Sequence, residues 1–350
     1  MSTVIAAPKP GKPWKATPRE RSIKASIYVA AALVSFALVA VTPMKGKLAY
    51  FVIFFIASVV IDFVLGYLQR GMSSAKDAVA RGFVSVGMTL AVLPIFSILF
   101  EVVKRGYKGL SFGLFTNDMS ATSVNDPLSN GGLIHAITGT VIMVLMALIV
   151  AMPIGILTAL YLTEISGKFA APIKFLVQAM SGVPSIVAGL FILSAYVYPI
   201  TSTLSGFAGS LALMILMIPT IARTSEEVLL LIPSDLREAG VALGGTQWRT
   251  VALVVVPAAK SGLVTALILG IARVAGETAP LVLLTGGGES VNLNPFSGPM
   301  GSLPIYIWKC FGQGTEESIA RAWSGILVLL VIVLALFTMA RFLSERKVTK

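Results

Sequence analysis

Cysteine and histidine are almost missing from this chain, which has one of each, Cys310 and His135. A single cysteine excludes an intrachain disulfide and leaves the redox compartment unread. No cluster of metal-ligating residue types stands out, so no metal site is expected. Charge is scarce as well: 12% of residues are charged, about half the ~25% of an ordinary soluble domain. No G-x-x-x-x-G-K-[ST] occurs, so the chain lacks the loop with which many proteins cradle nucleotide phosphates. Gly286-Gly287-Gly288 is a flexible turn by its position, not a phosphate loop. The first 24 residues are too long and polar for a cleavable signal, and a full apolar span follows them.

Apolar residues are abundant, at 56% of the chain. A soluble fold of this size could not bury them. Several runs of about 20 residues pass with almost no charge, the length needed to cross a ~30 Å hydrocarbon core. The formal charge of +11 suggests nucleic acid only superficially, because the basic residues flank apolar runs and do not gather on one soluble face. These patterns predict an all-α polytopic membrane protein.

Eight spans are expected: Ser26 to Val41, Ala49 to Leu68, Gly82 to Val103 (kinked at Pro94), Leu133 to Leu162, Ile173 to Tyr198, Phe207 to Ile221, Ala258 to Leu284 and Ala322 to Phe342. Residues 1–24 read as a disordered basic cytoplasmic tail and 344–350 as a second cytoplasmic tail. The charge bias puts both ends inside, with Lys45, Lys47, Lys104, Arg105 and Lys108 as exceptions. Lys104 to Gly132 and Thr285 to Arg321 are expected as outer loops. Gly182, Pro184 and Gly189 predict either a broken fifth span or a simple kink with packing glycines. Asp62, inside the second span, is expected to reach the interface or pair with a neighbour. His135, at the outer edge of the fourth, is expected to be solvated or capped.

The segment 224–257 is polar and turn-rich. Asp235 is expected to N-cap a short amphipathic helix, with Glu238 completing a capping box. Gly244 and Gly245 supply a left-handed stop, and Thr246 caps a second short helix with Trp248 and Val251 on its apolar side. Such a pair either packs against lipid headgroups or docks into another protein. In the following span Arg273 and Glu277 are four residues apart, so they are expected on one helix face, with Arg223 at the inner end of the preceding span. A charged group in mid-membrane costs at least ~2.5–3.5 kcal/mol on insertion scales. The two residues form either a structural pair or part of an anion pathway, and an arginine fork suits phosphate.

Glu238-Ala239-Gly240, Gly244 and Val254-Val255-Val256-Pro257 keep the spacing of the EAA motif and so resemble ABC importer permeases, with Gly240, Val254 and Val256 as the departures. Ile271 to Pro280, Pro219 to Thr224, Ser181 to Leu190, Gly109 to Phe115 and Gly131 to Leu133 resemble the A-type permease subunits of bacterial phosphate ABC importers, from about residue 80 onward. The resemblance implies a type I importer transmembrane domain over 80–343, six core spans, with 25–70 an additional two-helix hairpin. It implies a pathway for inorganic phosphate near Arg273, Glu277, Arg223 and Thr278, and an ATPase-docking loop using Asp235, Glu238, Ala239, Gly240, Gly244, Trp248 and Pro257. It implies no catalytic site and no cofactor in this chain, with ATP and Mg in two ATPase partners. A C-type permease, an extracytoplasmic phosphate-binding protein and a bacterial inner-membrane location complete the expectation. Three alternatives stay open: an ABC permease for molybdate, sulfate or a similar oxyanion, a secondary anion transporter, and a membrane scaffold or sensor. The EAA spacing argues against the last two.

Overall fold

The computed structural model describes residues 18–42 and 46–345. Most of the expected N-terminal tail, the middle of the first turn and the last five residues, 346–350, lie outside these. The chain divides into two compact units, residues 1–99 and 100–350.

The first unit holds α1 (Pro18–Val41), α2 (Lys47–Arg70) and most of α3 (Met72–Gly106). Helix α1 begins inside the stretch expected to be disordered. Pro18 stands at its first position, where a missing N–H costs nothing, and the Arg-Glu-Arg that follows tolerates a helix well. The interval between the second and third expected spans, which holds Lys76 and Arg81, is helix: only Gly71, at φ 77°, separates α2 from α3. Helix α3 runs unbroken through Pro94. Asp62 of α2 pairs with Arg81 of α3 at 3.1 Å, so the intramembrane acid does find a neighbour.

The second unit continues through α4 (Phe112–Thr116), α5 (Ile134–Leu160), α6 (Ala170–Ser181), α7 (Ser185–Ile192) and α8 (Gly206–Leu230). It ends with α9 (Ser234–Ala242), α10 (Gln247–Thr250), α11 (Val256–Ala275), α12 (Ala279–Leu284), α13 (Leu303–Gln313) and α14 (Glu316–Glu345). Among the described residues the only β pairing is an isolated bridge from Gly286 to Met300. Among the described residues seven helices are long and apolar enough to cross a membrane, or eight if α6 with α7 and its π-helical extension counts as one span, bent by 102°. The Ser181 to Pro184 stretch is therefore a break and not a mild kink. Pro184 lacks an N–H for the ladder, and Gly182 precedes it.

Helix α8 is the centre of this unit. Met143, Ala147 and Ala151 of α5 meet Leu213, Met217 and Ile221 of α8, joined by Val274 of α11 and Leu281 of α12. All are buried, and small residues let the backbones approach closely. Helix α8 continues well past Ile221, the end expected from sequence, because Ser225 and Leu229 stay on its buried face. The two expected outer loops are also more ordered than their polarity suggested. Helix α13 lies within one of them, capped by Ser302, whose Oγ accepts from Ile305 N at 3.4 Å, and carries Pro304 in its first turn. Leu303, Tyr306 and Cys310 of α13 pack with Leu114, Leu133 and Ala136. That cover explains why His135 is buried (3% exposed), edge-on to Tyr306, and not solvated or capped as expected.

Candidate functional site

Two places gather the expected functional residues. The first is a discontinuity in the seventh expected span. Helix α11 ends at Ala275, Gly276 follows at the C-cap, and α12 restarts at Ala279. Pro280 is the cause. Inside a continuous helix its ring would strike the carbonyl four residues back, at Gly276, and its absent N–H would leave that carbonyl unpaired. Glu277 therefore lies in the break and does not share a helix face with Arg273. No ion pair joins Arg273 to Glu277 among the described residues.

Arg273 sits in the last turn of α11, where a cation complements the helix dipole. Its side chain is exposed, and its Nη1 donates to Thr220 Oγ1 of α8 at 3.3 Å. The Thr220 hydroxyl in turn donates to the Leu216 carbonyl at 3.4 Å. Arg223 is three residues beyond Thr220, so it shares that helix face, and it too is exposed. Thr278, half-buried, precedes α12 without capping it. Two broken helices come together here: α7 packs on α12 so closely that a Cβ on Gly189 would lie 2.8 Å from Pro280 Cα. Broken helices persist in membranes where their free backbone is buried in protein or lines a cavity.

The second place is the pair α9 and α10 between α8 and α11. Asp235 does not cap α9: the N-cap is Pro233, which offers no side-chain acceptor, and Asp235 falls in the first turn. The cap lies two residues earlier than expected, because Pro233 fixes an extended entry and Ser234 is already helical. Gly244 adopts φ 82°, the left-handed stop expected there. Thr246 Oγ1 accepts from Arg249 N at 3.4 Å, capping α10 as expected. Gly240, the departure from the EAA pattern, has a structural cause: a Cβ there would lie 2.4 Å from Thr250 Cγ2. The glycine lets α10 fold back onto α9.

Asp235, Glu238, Ala239, Gly244, Trp248 and Pro257 are all exposed, and Gly240 is half-buried. Leu243 is 89% exposed and Trp248 64%, beside exposed Leu236 and Val241. Apolar side chains of this size, bare on a short polar helix pair, mark a contact surface.

What holds this pair in place was missed in the sequence. Glu164, at the end of α5's π-helical extension, has a side chain only 5% exposed. Arg237 of α9 grips it with Nε at 2.9 Å from Oε2 and Nη2 at 2.7 Å from Oε1. The same guanidinium donates to the carbonyls of Leu229 (2.9 Å) and Ile232 (2.6 Å) at the end of α8. Hydrogen bonds to Glu164 hold the Arg237 pKa above its ordinary value. Gln247 of α10 donates to the Glu164 backbone carbonyl. Glu164 and Arg237, through side chain and backbone, thus tie α9, α10, α5 and α8 together. Its partners are distant in sequence, so the only local signal was a glutamate closing an apolar span.

At the far end of this unit the loops before α5 and after α12 interlock. Met119 N donates to Glu289 O at 2.9 Å, and Val291 N to Asp118 Oδ2 at 3.3 Å. The Ser120 hydroxyl holds the Asp118 carboxyl below the usual carboxylate range. Arg321 of α14, buried, donates to the carbonyls of Asp126, Pro127 and Asn130.

The fold has known counterparts. A chain of a bacterial alginate ABC transporter, crystallised with an alginate pentasaccharide-bound periplasmic protein, superposes with a TM-score of 0.54 over 77% of this chain and 98% of its own, at 14% identity. A chain of the MetNI methionine ABC transporter in an inward-facing conformation gives 0.50 over 63% and 95%, at 21% identity. The architecture is that of an ABC importer transmembrane subunit. The sequence narrows this further. Residues 151–349 match the model of the binding-protein-dependent transport system inner membrane component family. The phosphate transport system permease protein PstA 1 of Mycobacterium tuberculosis (strain CDC 1551 / Oshkosh) is 37% identical over 277 residues, covering 78% of this chain and 90% of that protein. The PstA protein of Haemophilus influenzae is 36% identical over 252 residues, 71% of this chain and 87% of its own. The chain belongs to the binding-protein-dependent transport permeases and, within them, to the PstA family.

Proposed function

We propose that this chain is one of two different permease subunits of an ATP-driven inorganic phosphate importer. The exposed Arg273 carries the reading. A guanidinium beside a helix break, hydrogen-bonded to a hydroxyl and facing out of the subunit, is unfinished as a structural device. A second, C-type permease completes its surroundings and encloses a pathway. Arg273 and Arg223 then offer planar donors to a phosphate, and Glu277 and Thr278 orient it from the break. In this reading the α9–α10 pair faces the cytoplasm, with both chain ends on that side of a bacterial inner membrane.

Leu243 and Trp248 dock into one of two ATPase subunits that bind ATP and Mg. An extracytoplasmic phosphate-binding protein seats on the interlocked loops at the other end. ATPase closure pulls on α9, and the Glu164–Arg237 tie passes that pull to α5 and α8. The chain performs no catalysis itself. The test is vesicles reconstituted with the whole complex and ATP inside. Phosphate entry that needs ATP and binding protein, and that excess sulfate or molybdate leaves unchanged, is expected. Entry driven by an ion gradient without ATP, or competition by those anions at equal strength, contradicts it.

A further inference from the structure

The first unit contains a cleft that the transport reading does not use. It lies between α1, α2 and α3 and opens to the outside, with about 540 Å³ of space that includes its open mouth. Its walls divide by chemistry. Ile27, Phe55 and Val59 make an apolar floor, and Lys24, Asp62 and Arg81 gather along the polar side. Arg81 is half-engaged: Nη2 donates to Asp62 Oδ2 at 3.1 Å, and the side chain remains 53% exposed. Lys24 is exposed and has no ion pair among the described residues. Two cations against one carboxylate leave the cleft with a net positive charge.

An apolar floor between membrane helices with cations at one end suits an amphiphile that carries an anion. Basic pockets between transmembrane helices bind anionic lipid headgroups. The arginine fork can bond two phosphate oxygens, and lysine adds a point charge. We propose that this cleft binds the phosphate headgroup of an anionic phospholipid, with Asp62 holding Arg81 until the headgroup arrives. A free phosphate ion would satisfy the same cations but would leave the apolar floor unfilled, so the lipid is the occupant the geometry favours.

The test is native mass spectrometry of the full chain in detergent, titrated with phosphatidylglycerol and phosphatidylcholine of matched acyl chains. Wild type is expected to retain phosphatidylglycerol several-fold more tightly. Arg81→Gln and Lys24→Gln are each expected to weaken that retention about fivefold, the scale of one basic residue at a lipid surface. Asp62→Asn is expected to strengthen it, because Arg81 loses its competitor. That opposite sign separates the two roles: a purely structural ion pair would lose retention in both Asp62→Asn and Arg81→Gln. Equal retention of the two lipids, or a preference unmoved by Lys24→Gln and Arg81→Gln, would overturn the proposal. Displacement of the lipid by millimolar inorganic phosphate would reassign the site to the free ion. Elution volume checks folding, and if Arg81→Gln does not fold, Lys24→Gln alone decides, since that side chain has no ion-pair partner among the described residues.

Discussion

Arg273 needs more than charge for the role given to it. It presents a planar fork, and lysine at the same position would keep the charge and lose the second hydrogen bond. Arg273→Lys is therefore expected to lower phosphate uptake at least tenfold with normal membrane levels, measured in cells with radiolabelled phosphate. Thr220 positions that fork with one neutral hydrogen bond. Thr220→Val is expected to raise the half-saturation concentration about fivefold, the worth of a bond of ~1 kcal/mol, with a smaller change in maximal rate. A larger loss of rate than of affinity would place Thr220 in the gate instead. The arginine was legible in sequence because a charge in an apolar run needs a reason. Thr220 was not, because a threonine in a membrane helix commonly bonds its own backbone, and it lies 53 residues from Arg273. Glu277 was placed on the wrong geometry because helical spacing was carried past Ala275 into the break that precedes Pro280.

The α9–α10 pair shows what periodicity can and cannot reach. Its two short helices, the Gly244 stop and the Thr246 cap follow from residue types alone. The Glu164–Arg237 tie does not, because those residues are 73 apart and neither has a local partner that announces the other. Breaking it from one side strands a buried carboxylate or its guanidinium, a loss of about 3–5 kcal/mol for a buried pair. Arg237→Gln is expected to lower uptake more than Glu164→Gln, since it strands the deeply buried Glu164 carboxylate, whereas the guanidinium left by Glu164→Gln is 27% exposed and keeps two carbonyl partners. In both, ATPase activity is expected to become independent of the binding protein, which an assay of the reconstituted complex reads directly. Retained stimulation with lost uptake would separate the tie from coupling. Gly244→Val forces a branched side chain into a left-handed turn, and the same uncoupling is expected, with α5 and α8 untouched. Helix α13 escaped the sequence reading because glycine, proline and serine dominate its flanks, although Ser302 and Pro304 did mark its start.

For the molecule as a whole, composition was the most informative quantity. Too little charge and too many apolar runs to bury in water left a membrane bundle as the one workable arrangement. The chain's division after Leu99 matches no change in composition, since α3 continues across it. The relatives cover about three-quarters of the chain, and we propose that the first two helices are an addition to the transport unit. A chain beginning at Met72 is expected to keep at least half of wild-type uptake in cells. Complete loss, with the shortened chain present in the membrane, would make the first two helices part of the transport machinery. The central claim is that this subunit moves phosphate past Arg273. Its most direct test is radiolabelled phosphate uptake at micromolar phosphate in cells deleted for this chain, complemented with wild type or Arg273→Gln at equal membrane levels. Rescue by wild type and none by Arg273→Gln is the predicted result; equal rescue by both would contradict it.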